Sequence, residues 1–247
     1  MSSLKNKVVV ITGGNSGIGY ATAKAFSSAG GNVLITGKRE EALKKASEEI
    51  GVRSFLANQA DMTDIDRLAE EVKGRYGKAD VLFLNAGVAF FSPIEYTSET
   101  EFDTIFNTNV KGSFFILQKF IPLLNDGASV IILASGNTAL NMPNSSVYSA
   151  SKSALLHIAK IAAKELAPRN IRVNVVSPGP TQTEMQSKFG MDEATLEAIK
   201  NQIIGQVPLG KMGTPEDVAK LVVYLADSTS SSFITGADFF IDGGMAL

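Results

Sequence analysis

The chain has 247 residues, of which 45% are hydrophobic and 19% charged, a composition typical of soluble globular proteins. Its net charge of −2 provides no basic field for nucleic acid or an anionic membrane, and no apolar run approaches the roughly 18 residues of a membrane span. The lack of cysteine excludes disulfides and thiolate chemistry, and a single histidine, His157, excludes a histidine-rich metal site, so we expect no bound metal.

Seven short apolar runs along the chain predict β-strands, and longer helical patterns separate them. Several runs lack alternation, as is typical of strands that are buried on both faces of a parallel sheet. The strands are predicted at 7–12, 32–36, 53–57, 80–84, 128–134, 171–176 and 237–241. The helices are predicted at 17–29, 40–50, 64–76, 98–106, 109–124, 147–167 and 215–227. This alternation predicts an α/β fold in one domain over residues 1–247, a doubly wound parallel sheet of about seven strands with helices on both faces.

The stretch 180–212 departs from this rhythm. It carries Met185, Phe189 and Met191, and a short helical pattern at 192–204. We expect a mobile substrate loop over 184–206 rather than a second domain. The first residues lack the layout of a signal peptide, so a cytoplasmic location is expected.

A glycine-rich stretch, "ITGGNSGIGYATAKAF", follows the first strand and opens the first helix. Glycine is required where a chain turns tightly or where its backbone approaches a diphosphate, and the free N–H groups at a helix start attract anions. Gly13, Gly17 and Gly19 could also form a plain tight turn. Their position between a buried strand and a helix favours a nucleotide site.

Tyr148 stands four residues before Lys152, with only small residues between them, at the start of a predicted helix. Both side chains should therefore project from one face of that helix. The pair could be a coincidence, because this spacing occurs on many helices. It could also be functional, since an ammonium near a phenol favours phenolate and would lower the pKa of Tyr148.

Seven motifs in a fixed order favour the functional interpretation of Tyr148 and Lys152. They are "TGGNSGIG" at 12–19, "NAG" at 85–87, "NTNVKG" at 107–112, the serine of "ILASG", "YSASK" at 148–152, "SPGPTQT" at 177–183 and "DGG" at 242–244. With these motifs the chain resembles the short-chain dehydrogenase/reductase family over nearly its whole length. The resemblance implies a Rossmann-like sheet, a nicotinamide cofactor and the interconversion of alcohols and carbonyls.

The resemblance also implies the roles of a catalytic tetrad. Tyr148 would be the general acid in reduction and the base in oxidation, and Ser135 would hold the carbonyl oxygen. Lys152 would lower the pKa of Tyr148 and bind the nicotinamide ribose. Asn109 would hold a water in the proton path to Lys152. The implied cofactor-binding residues are Gly13, Asn15, Ser16, Gly17, Ile18, Gly19, Lys38, Arg39, Asp61, Met62, Asn85, Ala86, Gly87, Tyr148, Lys152, Pro178, Gly179, Thr181 and Thr183. Among them, Asp61 would contact the adenine and Thr183 the carboxamide.

The end of the second strand, "LITGKREE", indicates which cofactor is used. An acidic residue at this point binds the ribose of NAD, but here the place is taken by Gly37. Lys38 and Arg39 follow, and a guanidinium suits a 2′-phosphate. The two cations could instead be a solvated pair that Glu40 and Glu41 balance. We expect NADP(H).

The expected substrate is a small uncharged carbonyl or alcohol, because no arginine or lysine stands in 88–94 or 136–147. The candidate pocket residues are Val88, Phe90, Phe91, Met142, Pro143, Met185 and Phe189. Two of these, Phe90 and Phe91, could simply pack in the core.

Three other functions remain open. These are a reductase for 3-oxoacyl thioesters, a catalytically silent NADP-binding regulator, and a halohydrin-type elimination that uses no nucleotide. The intact tetrad disfavours the regulator, and the glycine loop and Lys152 disfavour the elimination. The surfaces at 109–124, 147–167 and the C-terminal "ADFFIDGGMAL" are apolar, and the family resemblance implies that these elements pair across subunits. We therefore expect a homotetramer and no nucleic-acid or membrane partner.

Overall fold

The structure, a computed structural model, describes residues 4–183 and 193–247. Residues 184–192, which form the first part of the expected substrate loop, lie outside the described residues. Seven parallel strands form one sheet in the order β3-β2-β1-β4-β5-β6-β7. The strands are β1 Val8–Ile11, β2 Asn32–Gly37, β3 Arg53–Leu56, β4 Ala79–Leu84, β5 Leu124–Leu133, β6 Arg172–Pro178 and β7 Asp238–Ile241. The predicted doubly wound, Rossmann-like sheet is therefore confirmed.

Helices connect the strands and cover the sheet. They are α1 Gly17–Ser28, α2 Glu40–Ile50, α3 Met62–Tyr76, α4 Glu99–Ile105, α5 Ser113–Phe120, α6 Asn137–Leu140, α7 Ser146–Leu166, α8 Glu193–Gly205, α9 Pro215–Ala226 and α10 Ser228–Ser231. Three short 3₁₀ turns lie at Ile94–Tyr96, Ile121–Leu123 and Ala167–Arg169. No helix in the described ranges is long and apolar enough to cross a membrane.

The prediction of one continuous helix over 109–124 is wrong, because three different helical forms occupy this segment. A π-helix over Phe106–Gly112 joins α4 to α5, and a 3₁₀ turn that contains Pro122 ends the segment. β5 then begins at Leu124, four residues before its predicted start. A wide π turn inside a helix marks functional sites in many proteins. Here it contains Asn109, one of the predicted catalytic residues.

Alternate residues of the central strands point to opposite faces of the sheet. On one face, Val10, Leu82 and Val130 are buried in a cluster with apolar side chains of α3, α5 and α7. On the other face, Val9 and Ile131 are buried with apolar side chains of α1, α2 and α9. Because both faces are covered, the central strands β1 and β4 are mainly apolar without alternation, as their sequences predicted.

Capping boxes fix the starts of two helices. Ser98 and Glu101 exchange side-chain and backbone hydrogen bonds at the start of α4, and Thr214 and Asp217 do the same at α9. These bonds satisfy backbone N–H groups that a helix start leaves without partners.

Candidate active site

A cavity of about 520 Å³ lies at the carboxyl ends of the strands. In open α/β sheets this edge is the usual place for a ligand, above the point where the strand order reverses. That point lies here between β1 and β4. Of the predicted site residues, the cavity is lined by Gly13, Asn15, Ser16, Gly17, Ile18, Lys38, Arg39, Asn85, Ala86, Gly87, Ser135, Tyr148, Lys152, Pro178, Gly179, Thr181 and Thr183. Gly19, Asp61, Met62 and Asn109 do not line it.

The glycine loop forms one wall of the cavity. Gly13 and Gly17 have φ angles of +66° and +54°, in the left-handed region that favours glycine. A Cβ at Gly13 would lie 2.9 Å from the Cα of Ala86, so the loop also packs tightly against the end of β4. Ser16 is the N-cap of α1 and makes no side-chain capping bond. The start of α1 therefore offers backbone N–H groups to an anion at the cavity wall.

Gly19 has a different role from the other two glycines. A Cβ at this position would overlap the backbone carbonyl of Gly13 and lie 2.5 Å from the Nδ2 of Asn85. Its small size lets α1 pack directly on the loop. We predicted Gly19 as a cofactor-binding residue, but the structure places it behind the loop, where it supports the wall of the cavity.

Hydrogen bonds hold the ends of β1 and β4 together beneath the cavity. Thr12 Oγ1 accepts bonds from the backbone nitrogens of Asn85 and Ala86, each at 3.0 Å. Asn85 Nδ2 donates to the carbonyls of Thr12 at 2.8 Å and Gly13 at 2.9 Å. The "NAG" segment is therefore fixed against the glycine loop, and Gly87 comes close to the catalytic groups. A Cβ at Gly87 would lie 3.4 Å from Lys152 Nζ.

Asp61 and Met62 lie at the start of α3, and their role in binding the cofactor stays a prediction. Asp61 is the N-cap of α3 and accepts a 2.8 Å bond from the backbone nitrogen of Thr63. Asn58 and Gln59 line the cavity. Four residues separate the end of β3 from Asp61, the cap of α3. The buried helical pattern of Ile65, Leu68, Ala69 and Val72 was the signal that could have located this cap.

The end of β2 carries the charges that the sequence predicted. Gly37, Lys38 and Arg39 all line the cavity, and Arg39 is the N-cap of α2. In the described part of the chain, Lys38, Arg39 and Lys152 are the cations that line this cavity, and no aspartate or glutamate lines it. The wall at the nucleotide end therefore suits an anion of high charge, because no carboxylate there repels it.

The three catalytic candidates on β5 and α7 meet in the cavity. Ser135 follows β5, and its hydroxyl forms a hydrogen bond with the phenol of Tyr148 in the first turn of α7. Lys152 lies one turn further along α7, and its Nζ is 5.9 Å from the centroid of the Tyr148 ring. The same Nζ donates a 2.8 Å bond to the carbonyl of Leu133. The predicted common face of Tyr148 and Lys152 is therefore observed.

Burial determines the pKa values of this pair. It raises the pKa of Tyr148, while the hydrogen bond from Ser135 acts in the opposite direction. Burial also lowers the pKa of Lys152 to about 8. The net pKa of Tyr148 is therefore raised, and a lowering contribution from the Lys152 ammonium stays a prediction. Removal from water penalises both the phenolate and the ammonium, and that penalty is the largest effect on each group. At neutral pH Tyr148 is a phenol that can donate its proton.

Asn109 acts behind the cavity and not within it. Its Oδ1 accepts a 2.8 Å bond from the nitrogen of Val88, and its Nδ2 donates to the carbonyl of Val88 at 2.9 Å. Nδ2 also donates to Ser151 Oγ at 3.0 Å. Both N–H groups of its amide are used by protein atoms, and the expectation that Asn109 holds a water stays a prediction. The side chain ties the loop after β4 to α7.

The rest of the cavity is mainly apolar. Val88, Phe91 and Met142 line it as predicted, whereas Phe90 and Pro143 do not, and Met185 and Phe189 lie outside the described residues. The Phe91 ring meets the Tyr148 ring edge to face, with centroids 5.6 Å apart and an interplanar angle of 62°. The prediction missed the lining residues Asn137, Leu140, Ile203 and Met245, which come from α6, α8 and the C-terminal segment.

Comparison with known proteins agrees with this geometry. The sequence model of a protein family described as "Enoyl-(Acyl carrier protein) reductase" matches residues 13–246. Oxidoreductase asL5 of Sarocladium schorii is 37% identical over 247 residues, which cover 98% of this chain and 97% of that protein. The 3-oxoacyl-[acyl-carrier-protein] reductase FabG of Thermotoga maritima is 35% identical, with 99% of each chain covered. A 3alpha-hydroxysteroid dehydrogenase of Mediterraneibacter gnavus is 33% identical, with 97% of each covered.

Solved structures have the same fold over their full length. A short-chain dehydrogenase/reductase from Serratia marcescens superposes with a TM-score of 0.90 at 30% identity, covering 99% of this chain and 100% of that one. The 3-ketoacyl-(acyl-carrier-protein) reductase of Brucella melitensis, complexed with NADH, gives 0.90 at 28% identity with the same coverage. A blue fluorescent protein from a metagenomic library, in complex with NADPH, gives 0.90 at 28% identity and covers 100% of both chains.

Proposed function

The chain belongs to the short-chain dehydrogenase/reductase family, and from this membership we propose that it is an NADP(H)-dependent oxidoreductase that interconverts a ketone or aldehyde with the matching alcohol. One observation carries the proposal. The Ser135, Tyr148 and Lys152 side chains line the same cavity as Lys38 and Arg39, and no carboxylate of the described residues lines it. A proton donor therefore shares one space with cations that suit a phosphorylated nucleotide.

The residues of the cavity fit a nicotinamide dinucleotide. Backbone at the start of α1 would hold the diphosphate, because Gly13 and Gly17 leave no side chain in its way. Arg39 and Lys38 would hold a 2′-phosphate at the end of β2. Lys152 and Thr183 would hold the nicotinamide half. The NADH and NADPH complexes of two structural relatives support a nicotinamide coenzyme, and Lys38 and Arg39 support NADP(H) over NAD(H).

The chemistry at the carbonyl follows from the protein groups. A bound nicotinamide coenzyme supplies the hydride for reduction. Tyr148, with a pKa raised by burial, keeps its proton at neutral pH and delivers it to the carbonyl oxygen. Ser135 donates a hydrogen bond to that oxygen and polarises it. The Lys152 ammonium stabilises the phenolate left after proton transfer, because opposite charges attract strongly in a buried site. In the oxidation direction the phenolate form of Tyr148, which the Lys152 ammonium stabilises, accepts the proton from the alcohol.

A second candidate is the reduction of 3-oxoacyl thioesters. Relatives with that activity in their names, such as the FabG protein of Thermotoga maritima, are similar to this chain over its full length. The apolar wall formed by Val88, Phe91, Leu140 and Met142 is compatible with an acyl chain as well as with a simple ketone. Comparing acyl thioesters and simple ketones as substrates separates the two candidates.

We also propose that the protein is a homotetramer in the cytoplasm. The surfaces that the sequence singled out expose large apolar side chains in the monomer. Phe114 on α5 is 43% exposed, Ile161 on α7 is 58% exposed and Phe240 on β7 is 43% exposed. Burying such side chains between copies is favourable by roughly 25 cal/mol per Å², which supports the assembly.

A carbonyl panel followed by loss of NADPH absorbance tests the function. The panel pairs neutral aryl and alkyl ketones with 3-oxoacyl thioesters and with ketones that carry a carboxylate. We expect turnover of neutral ketones, because no arginine or lysine lines the apolar half of the cavity in the described structure. Preference for carboxylate-bearing ketones would contradict the substrate proposal. NADPH binding without any turnover would identify the chain as a silent regulator.

A further inference from the structure

Gln59 lies in the turn between β3 and α3, a place where the sequence analysis assigned no function. It is 8% exposed and lines the nucleotide end of the cavity beside Asn58. A buried glutamine must pair its amide with protein groups, because each unpaired polar atom in the interior costs free energy. Its bonding partners therefore indicate what the side chain does.

The amide nitrogen of Gln59 connects two separate segments of the chain. Nε2 donates to the carbonyl of Thr108 at 2.8 Å and to the carbonyl of Ala86 at 3.2 Å. It also lies 3.2 Å from Ser113 Oγ. Ala86 belongs to the loop after β4, whereas Thr108 lies in the π-helix and Ser113 begins α5. One side chain from the β3–α3 turn therefore contacts both the loop after β4 and the segment formed by the π-helix and the start of α5.

The orientation of the amide is determined by these acceptors. Two backbone carbonyls can only accept hydrogen bonds, so the nitrogen must face them. Gln59 Oε1 is then left buried without a hydrogen-bond partner among the described residues. Oε1 therefore stays unpaired so that Nε2 can donate to the two carbonyls. The backbone of Gln59 also packs directly against the π-helix, since a Cβ at Gly112 would overlap the carbonyl of Gln59.

The hydrogen bonds of Gln59 reach residues that are close in sequence to Asn109 and to Val88, the residue that Asn109 binds. Thr108 directly precedes Asn109, and Ala86 lies two residues before Val88, whose backbone Asn109 binds at both N–H and C=O. Gly87, between Ala86 and Val88, approaches Lys152 Nζ. A change of register along a helix releases carbonyls from the ordinary pairing, and buried carbonyls then need other donors. Gln59 supplies such a donor to the carbonyl of Thr108.

We propose that Gln59 is a positioning residue, which together with Asn109 sets the distance between the π-helix and the loop 85–88 and thereby places Lys152 and Tyr148. The inference rests on the proposed oxidoreductase function. Gln59 acts from the β3–α3 turn and Asn109 from the π-helix, and both fix the same two segments. The loss of either should misplace the catalytic pair, and the loss of both should do little more.

A double-mutant cycle tests this coupling. Gln59→Met keeps the size of the side chain and removes the donor, and Gln118→Met, on the exposed face of the adjacent α5, is the matched control. We expect Gln59→Met to lower kcat by about tenfold or more, since small misplacements of catalytic groups have large effects. In an Asn109→Ala background the same change should lower kcat by less than about twofold. The Kd for NADPH should change by a smaller factor than kcat, because the variant displaces loop 85–88 and Lys152 but leaves the glycine loop, Lys38 and Arg39 in place.

A second measurement does not depend on activity. Amide hydrogen exchange of the protein without coenzyme should become faster at 85–88 and 106–113 in Gln59→Met, and should stay unchanged in β2 and α2. Gln59→Asn, which keeps an amide but shortens it, enters both experiments if Gln59→Met does not fold.

The outcomes separate this inference from the proposed function. The inference is overturned if the losses in kcat from Gln59→Met and Asn109→Ala multiply in the double variant. It is also overturned if Gln59→Met weakens NADPH binding without changing kcat, or if hydrogen exchange at 85–88 and 106–113 is unchanged. If the wild type turns over no carbonyl, the proposed function fails, and the exchange experiment still decides whether Gln59 holds these segments.

Discussion

The Nζ atom of Lys152 donates a 2.8 Å hydrogen bond to the carbonyl of Leu133, the last residue of β5. This bond fixes a buried cation beneath Tyr148, although burial lowers the pKa of Lys152 to about 8. A buried charge generally destabilises a fold unless a counter-charge is close. The position of Lys152 is therefore maintained at a cost in stability, and this cost can be measured.

Lys152→Met should stabilise the protein at pH 7 while it lowers kcat by at least about a hundredfold. The pKa of Lys152 is about 8 in the folded protein, below the ordinary lysine value of 10.5 that the unfolded chain keeps, so between these values the unfolded chain binds more protons. The free energy of unfolding of the wild type should then rise with pH across that window. We expect an advantage for the variant on the order of 2 kcal/mol below pH 8, allowing for the lost bond to Leu133, and a smaller one near pH 10. Unfolding curves at pH 7 and pH 10 check this, with Lys164→Met, an exposed lysine of the same helix, as the control.

Tyr148→Phe should lower kcat by about 10²- to 10⁴-fold, because it removes the transferable proton and keeps the ring. The Kd for NADPH should stay within about threefold of the wild type, since the phosphate-binding groups are untouched. Fluorescence titration and steady-state kinetics measure the two quantities. Tyr96→Phe changes a tyrosine that is 72% exposed and should have no effect. A variant that keeps most of its kcat would show that Tyr148 is not the acid.

The enzyme should prefer NADPH to NADH, and Arg39→Ala should reduce that preference by about tenfold, the value of one charge-assisted contact with a phosphate. The ratio of kcat/KM for the two coenzymes is the measurement, and Lys44→Ala, an exposed position of α2, is the control. Gly37→Asp should reverse the preference by placing an acid at the end of β2. A Cβ at Gly37 would lie 2.7 Å from Asn15 Oδ1, so Asn15 must move in that variant. Equal use of NADH by the wild type would contradict the assignment.

Phe91→Ala should lower kcat/KM for small ketones by about tenfold and shift the preference toward bulkier ones. The change removes an edge-to-face contact with Tyr148 and enlarges the cavity next to the reacting group. Phe90→Ala is the matched control, because Phe90 is adjacent in sequence and does not line the cavity. Kinetics with a homologous series of ketones provides the comparison. Equal effects of the two variants would show that Phe91 has no specific role at the site.

Light scattering at micromolar concentration should give a mass about four times 26.2 kDa, as expected for a tetramer with two-fold axes. Ile161→Glu should weaken the assembly, because it places a charge on an apolar face of α7 that is exposed in the monomer. Lys164→Glu changes a charge on an already polar position of the same helix and is the control. A wild-type mass near 26.2 kDa would refute the tetramer.

Local patterns in the sequence were sufficient for the fold and for most of the cavity. The unbroken apolar strands, the glycine loop after β1 and the four-residue spacing of Tyr148 and Lys152 each depend on a period or a turn within a few residues. The structure has them where the sequence placed them. The charges at the end of β2 could be predicted in the same way, because they follow directly from Gly37.

Contacts between distant segments could not be predicted in this way. The turn after β3 places Asn58 and Gln59 on the cavity where Asp61 was expected, and the π-helix gives Asn109 protein partners in Val88 and Ser151. The pKa of Tyr148 is raised and not lowered because burial, contributed by several elements, has a larger effect than any single neighbour. The sequence by itself determined which residues lie at the ends of the strands. Only the tertiary structure decided which of them meet and how far water is excluded, because hydrogen-bond partners and burial depend on residues that are far apart along the chain.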